Sequence, residues 1–298
     1  MGNYTLTVFT PTYNRIRLLK RGYEALCRQT LKDFCWLIID DGSTDDTKDV
    51  VSLWIKEGKI PITYVYKENG GLHTGYNKAI EIMDTELCVC IDSDDYMPSD
   101  AVEKIVKKWK KEGNPSVGGI LGLDFDENGN PIGGYFSNEI KTLKMIEMKP
   151  KYHHEGDVKV VHRTELLKLV APMPSFDGER NFNPIYLFYK IDVRYPLLLL
   201  NDNICNVEYQ QDGMSNNMIR QYVNSPRSFS ELRKQIMERP DAPLSLKFRN
   251  AIHYVSSQIM IRNHRWLVDS PNKIMTILAV PMGIILYMYI MYSYNKRK

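Results

Sequence analysis

Three carboxylates, Asp92, Asp94 and Asp95, fall within four residues, directly after the apolar run Leu87–Ile91. Like charges this close repel, and a cation relieves the cost. Hard divalent ions such as Mg2+ or Mn2+ are held by one or two carboxylates together with substrate phosphates. The segment CVCIDSDDYMP, Cys88–Pro98, therefore offers its carboxylates to a divalent ion shared with substrate phosphates. An acidic turn capping the next helix is the competing reading, and this run alone does not decide between them.

Three further polar runs precede it, each at the end of an apolar stretch: VFTPTYNR (Val8–Arg15), LIIDDGSTDDT (Leu37–Thr47) and ENGGLHTGYNKAI (Glu68–Ile80). The elements that position them read as alternating strands and helices. Strands are expected at Tyr4–Thr10, Phe34–Ile39, Ile62–Tyr66 and Leu87–Ile91. Helices are expected from about Arg15 to Gln29, Asp45 to Lys56 and Ser99 to Lys111, and Gly70–Met83 reads as a Gly-rich turn and a helix. Such alternation implies βαβ units and a mainly parallel sheet. Open parallel sheets bind ligands at the carboxyl ends of their strands, where the four loops converge. Beyond Lys111 the alternation breaks down, with strand-like runs at Gly118–Asp126 and Gly156–Val161 and a helix from about Arg163.

In order, spacing and wording, the four motifs resemble the inverting family-two glycosyltransferases of the GT-A fold, of the bacterial cell-surface polysaccharide type. The resemblance covers roughly Tyr4 to Asn217. It implies an α/β, Rossmann-like, mainly parallel sheet flanked by helices. It implies a donor site for a UDP-sugar that includes Thr10, Pro11, Tyr13 and Arg15, with Pro11 and Tyr13 receiving the uracil and Asp41 hydrogen-bonding the base. Asp92-Ser93-Asp94 matches the Asp-X-Asp signature, whose last Asp usually holds the metal that bridges the diphosphate. The family often has a basic residue where this chain has Leu72. Any extra phosphate contact then falls to His73, Lys67 or Lys78, and His73 is counted with the donor residues. Packing or capping roles are the competing readings for Tyr13, Asp41 and His73.

The second half carries PSFDGERNFNPIYLFYKI, Pro174–Ile191, where Gly178-Glu179-Arg180 resembles the element that places the family's catalytic base. An acceptor hydroxyl attacking an anomeric carbon must lose its proton as the bond forms, and a carboxylate suits that role. Glu179 is the first candidate and Asp177 the reserve. A charged surface turn, with Glu179 paired to Arg180, is the alternative. Asp157 is a weaker candidate for the acceptor side. His153, His154 and His162 lack metal-ligand spacing and read as structural. YQQDGMSNN, Tyr209–Asn217, also resembles the family but carries no chemistry legible in its residues.

The net charge of +3 is unevenly spread over the chain. From Asp241 to Lys298 eight Lys/Arg stand against two Asp, giving +6, so the preceding part carries −3. Near Pro240 a basic, aromatic and then uncharged region begins. Ile274–Tyr294 has 21 residues without a charge, about 31 Å as a helix and long enough to cross a bilayer. Pro281 and Gly283 are expected to interrupt it. Basic residues lie on both sides, and they favour the cytoplasmic side of a membrane. A helix or helical hairpin lying in the inner leaflet meets both conditions. A core helix packed on the domain is the alternative.

The expected organisation is a GT-A domain over 1–215 and a helical C-terminal region over 216–298. The five cysteines show no metal-type spacing and read as reduced thiols. The N-terminus shows no signal-peptide pattern. The expected activity is inverting transfer from a UDP-sugar to a saccharide acceptor, lipid-linked if the tail meets a membrane. Mn2+ or Mg2+ is the expected cofactor. The expected location is the cytoplasmic face of the membrane, with no nucleic-acid partner. A sugar-nucleotide nucleotidyltransferase is disfavoured because Pro11–Arg15 has no glycine. An inactive binding module is disfavoured by the intact carboxylates. A processive synthase is disfavoured because the chain has one apolar tail, and Gln258 and Arg265-Trp266 are spaced wrongly for its Gln-X-X-Arg-Trp element.

Overall fold

The computed structural model describes residues 4–208 and 217–296. The first four strands are β1 (Leu6–Thr12), β2 (Phe34–Asp40), β3 (Ile62–Tyr66) and β4 (Leu87–Cys90). They alternate with helices α1 (Ile16–Cys27), α2 (Thr47–Glu57), α3 (Leu72–Ile82) and α4 (Ala101–Glu112). β2 is buried at all seven positions, as expected of a parallel strand covered on both faces. Beneath it, Tyr23 stacks on Trp54 with ring centroids 4.3 Å apart, and Trp36 donates its indole N–H to Thr10 Oγ1 at 3.0 Å.

The sheet continues through β5 (Gly119–Phe125), β6 (Thr142–Leu143), β7 (Val158–Arg163) and β8 (Leu197–Asn206), in the order β3-β2-β1-β4-β7-β5-β8-β6. β1 pairs in parallel with β2 and β4, β2 with β3, and β5 with β8. β7 is antiparallel to both β4 and β5, and β6 is antiparallel to β8. The sheet is thus mainly parallel but mixed, as an α/β chain whose regular alternation stops after α4 permits. Short helices α5 (Met148–Tyr152) and α6 (Thr164–Val170) flank β7, and α7 (Ile185–Asp192) leads to β8.

The order of connection reverses at β1, which has β2 on one side and β4 on the other. β4 follows β1 only from Leu6 to Phe9, whereas β2 follows it to Thr12. Beyond Phe9 the sheet therefore opens on the β4 side, and such a switch point forms a crevice at the strand ends.

By compactness the chain divides into two units. The first comprises Met1–Gly70, Thr74–Pro172 and Leu187–Tyr209, and the second Gly71–His73, Met173–Tyr186 and Gln210–Lys298. The second contains α8 (Met218–Asn224), α9 (Pro226–Glu238), α10 (Leu244–Ile261) and α11 (Lys273–Lys296). Asn272 Oδ1 accepts the Met275 N–H at 3.0 Å at the start of α11. The expected interruption does not occur, because α11 carries Pro281 in its interior. Gly283 is a contact point instead: a Cβ there would lie 2.5 Å from Val255 Cβ on α10.

Candidate active site

The loops after β1 and β2 are stitched together by main-chain and Asn14 contacts. Asp41 N–H donates to Thr12 O at 2.8 Å. Asn14 adopts φ of 52°, a left-handed conformation that Asn tolerates better than most residues. From there its Oδ1 accepts the Thr44 N–H at 2.7 Å and the Asp45 N–H at 3.3 Å, and its own N–H reaches Ser43 Oγ at 2.9 Å. Tyr13 is left 45% exposed at the rim. Thr10 is buried with its hydroxyl turned to Trp36, so only its backbone can face a ligand. Pro11 packs towards Gly75, where a Cβ would come within 3.3 Å of the Pro11 Cβ.

Asp41 is buried in the floor of the same loops. Its Oδ1 accepts from the Lys67 ammonium and from the Gly70 N–H, and its carbonyl accepts from Asn69 Nδ2 at 2.8 Å. Lys67 also donates to Thr74 Oγ1 at 2.9 Å, while Lys78 is paired on the surface with Glu81 at 3.0 Å. Of the candidates for an added phosphate contact, Lys67 is committed to Asp41 and Lys78 to Glu81.

The loop after β4 turns by an Asp95 N–H bond to Asp92 O at 3.0 Å. The Asp92 side chain is 49% exposed, that of Asp94 only 17%, and Ser93 and Asp95 are buried. Arg15 forms an ion pair with Asp94 Oδ2 at 3.0 Å, so the residue that follows the β1 loop lies on the β4 loop. Arg21 donates to the Asp94 carbonyl and sits over the Tyr96 ring, 4.7 Å from its centroid. Burial, reinforced by the Asp92 charge, raises the Asp94 carboxyl above its ordinary value, with Arg15 opposing. From β7, Lys159 reaches Asp95 Oδ2 at 2.7 Å and Asp92 Oδ2 at 3.5 Å. Sequence reasoning missed both Asn14 and Lys159. The alternating run Val158–Val161 marks Lys159 as facing away from Val158 and Val160, but nothing local places it under Asp92.

Among the described residues no three His, Cys, Asp or Glu side chains gather into a metal cage. Asp92 and Asp94 supply two hard oxygen donors on a partly exposed rim. That set fits a divalent ion whose remaining positions are filled by phosphate and water.

The remaining candidates lie in the second unit. Glu179 is 8% exposed, and its carboxylate accepts the Arg227 N–H, the Ser228 N–H and the Ser228 hydroxyl at 2.8, 2.8 and 2.7 Å. It thereby satisfies orphan donors at the start of α9. Asp177 is exposed, with no hydrogen bond or ion pair among the described residues. His73 is buried at 1% exposure, its ring tilted against Phe182 with centroids 6.4 Å apart, so a donor could reach it only if the ring were uncovered. Gly71, at φ of 93°, lets the Arg180 carbonyl approach so closely that a Cβ would sit 2.0 Å from its oxygen. Of the Tyr209–Asn217 motif, all but Asn217 lies outside the described residues.

The family model described as Glycosyl transferase family 2 matches residues 7–169, more than half of the chain. Chondroitin synthase of Pasteurella multocida (strain Pm70) is 30% identical over 147 residues, which is 47% of this chain and 15% of that protein. The chain spans only 15% to 23% of the length of the first curated relatives that it matches. Among solved structures, S. aureus TarS 1-349 in complex with UDP-GlcNAc matches with a TM-score of 0.66 at 16% identity, covering 99% of this chain and 92% of that one. The mannosyltransferase PcManGT from Pyrobaculum calidifontis, in complex with GDP-Man and Mn2+, matches with a TM-score of 0.58 at 18% identity, covering 99% and 84%.

Proposed function

The chain belongs to glycosyl transferase family 2 and has its GT-A fold, and we propose that it moves a sugar, with inversion, from a UDP-sugar to a hydroxyl of a saccharide acceptor. The observation that carries this reading is the meeting of the β1, β2 and β4 loops at the switch point. There the exposed Tyr13 ring, the buried Asp41 carboxylate and the Asp92–Asp94 pair are presented by adjacent parallel strands. The UDP-GlcNAc bound by the TarS neighbour supports a UDP donor.

Tyr13 offers a face for the uracil to stack on, Pro11 and the Thr10 backbone line the same loop, and Asp41 accepts from the base. Asp92 and Asp94 would hold Mn2+ or Mg2+, whose charge would offset that growing on the departing diphosphate. The Mn2+ of the PcManGT neighbour supports that choice. Arg15, Asp94's ion-pair partner, is a guanidinium suited to phosphate oxygens. These groups act chiefly by holding the donor in an attackable geometry.

Deprotonating the acceptor needs a carboxylate with a free lone pair. The motif favours Glu179, yet its oxygens already take three donors, which leaves few lone pairs for an acceptor hydroxyl. Asp177 has no such partners. We therefore put Asp177 first as base, with Glu179 tethering its loop to α9.

The tail supports a membrane-facing acceptor. The α11 helix has 24 residues and contains an 18-residue apolar window with a mean hydropathy of 2.1, of which only 22% is buried. Thr276, Ala279, Gly283 and Ile290 are its buried face, while Ile274, Leu278, Ile285, Met288 and Tyr292 stand exposed at helical spacing. A helix pair laid on the cytoplasmic leaflet would cover that stripe and bring a lipid-linked saccharide to the enzyme. A panel of UDP-sugars, assayed for UDP release with Mn2+ and with chelator, tests the donor and the metal together. Release from none of them in either condition would overturn the reading.

A further inference from the structure

Lys159 lies under the metal-binding loop without belonging to any motif that the family resemblance supplies. It stands on β7 opposite Gly122 of β5, with its side chain only 13% exposed. Its ammonium lies 2.7 Å from Asp95 Oδ2 and 3.5 Å from Asp92 Oδ2. Asp124, buried at 2% exposure, has an Oδ1 without a hydrogen-bond partner and contributes its charge to the same cluster. Burial works against the Lys159 charge, and the surrounding Cys205, Asp124, Asp92 and Asp95 groups outweigh it and hold the ammonium form. A lysine is seldom buried unless paired, and this one is paired twice.

The loop is thereby divided. Asp95 faces inward and belongs to Lys159, Asp94 faces Arg15, and Asp92 is shared between Lys159 and the exposed rim. The ammonium offsets part of the negative charge that Asp92, Asp94, Asp95 and Asp124 would otherwise present, so the loop attracts a divalent ion less than it would without Lys159. A diphosphate brought by the donor restores the missing negative charge.

Building on the metal reading of Asp92 and Asp94, we propose that Lys159 is a positioning residue, a built-in counter-ion that weakens metal binding by the empty loop and so couples the metal to the nucleotide. It holds Asp92 in place and occupies the inner side of the loop, leaving room for a single divalent ion on the outer side. Metal and UDP then favour each other's binding, because the diphosphate supplies negative charge of the kind that Lys159 offsets in the loop.

The test is Mn2+ binding to the full chain at pH 8, measured by calorimetry with and without UDP. Lys159→Met is expected to tighten Mn2+ binding without UDP at least tenfold and to shrink the gain that UDP gives. Lys159→Arg, which keeps the charge, is expected to retain the native pattern. Asp95→Asn removes a negative charge from the same pair and is expected to act in the opposite sense, weakening Mn2+ binding in the presence of UDP. A purely structural lysine would give weaker binding in both neutralising variants, and that result would overturn the proposal. If Lys159→Met does not fold, the Asp95→Asn and Lys159→Arg arms still decide: unchanged Mn2+ binding in Asp95→Asn, or native coupling lost in Lys159→Arg, would also overturn it. If the native chain binds no Mn2+ even with UDP, the metal reading itself fails. If it binds normally and Lys159→Met does not tighten binding, only the role of Lys159 fails.

Discussion

Arg15 and Asp94 form a 3.0 Å ion pair that joins the loop after β1 to the loop after β4. The pair spans the place where the sheet opens between those strands, and it sets a guanidinium beside the carboxylate proposed as a metal ligand. On the proposed reading a cation at Asp94 would compete with Arg15 for Oδ2, and the freed guanidinium would be available to a phosphate.

Metal and nucleotide should therefore strengthen each other's binding through Asp94. UDP affinity, measured by calorimetry, is expected to rise when Mn2+ replaces chelator. Asp94→Ala should erase that rise while leaving the chelator value nearly unchanged. Equal affinity in both conditions for the native chain would remove Asp94 from the metal.

The two candidate bases should separate by what they damage. Asp177→Asn is expected to lower transfer by about two to four orders of magnitude with little change in UDP affinity or melting temperature. Glu179→Gln places an amide against three donors. It is expected to cost stability of about 1–3 kcal/mol, read as a lower melting temperature. Full stability with transfer lost in Glu179→Gln would return the base role to Glu179.

His162 is a polar group buried without compensation. Neither ring nitrogen has a hydrogen-bond partner among the described residues, and the Phe188 ring lies 4.4 Å away. Burial holds its imidazole down to about 3, against 6.5 for the free group. Between those values the unfolded chain takes up a proton that the folded one refuses. Its contribution to stability is complete above about 6.5 and is lost as the pH falls through that window. His162→Leu, close in volume, is expected to raise stability by about 1 kcal/mol at neutral pH, and by more at pH 5. Denaturant midpoints at the two pH values give the answer, and equal or lower midpoints in the variant would contradict it.

The exposed stripe of α11 should determine partition. The full chain is expected to pellet with anionic vesicles, and a chain truncated after Asp269 is expected to stay in the supernatant. If the full chain remains soluble beside vesicles without detergent, the membrane role is lost and the sugar-transfer reading stands.

The first half of the fold was legible because parallel strands covered on both faces read as unbroken apolar runs. Phe34–Asp40 is buried throughout, and each such run ends in the polar loop that carries the site. In the second half β5, β7 and α6 were legible at Gly118–Asp126, Gly156–Val161 and from about Arg163, but β8 and the contacts of the site were not, for physical reasons. β8 contains the polar stretch Asn201–Asn203, and its register against β5 shifts around Leu123, so no period of two survives. Lys159 sits in a strand where alternation marks polar positions as solvent-facing, whereas its partners come from another strand's loop. The partners of Glu179, Arg227 and Ser228, are 48 and 49 residues away, beyond any local pattern. The tail's apolar length was plain in the sequence. Its use of Gly283 as a seat for Val255 required the neighbouring helix.

The Asn14 clasp carries a thermodynamic consequence. The loops after β1 and β2 are fastened to each other by the chain's own Asn14 side chain. If a nucleotide binds there as proposed, it would meet a cradle already set, and little of its binding energy would be spent on ordering the chain. Binding at that end should resemble the filling of a rigid mould, with a heat-capacity change set by the covered surface of the base and ring alone.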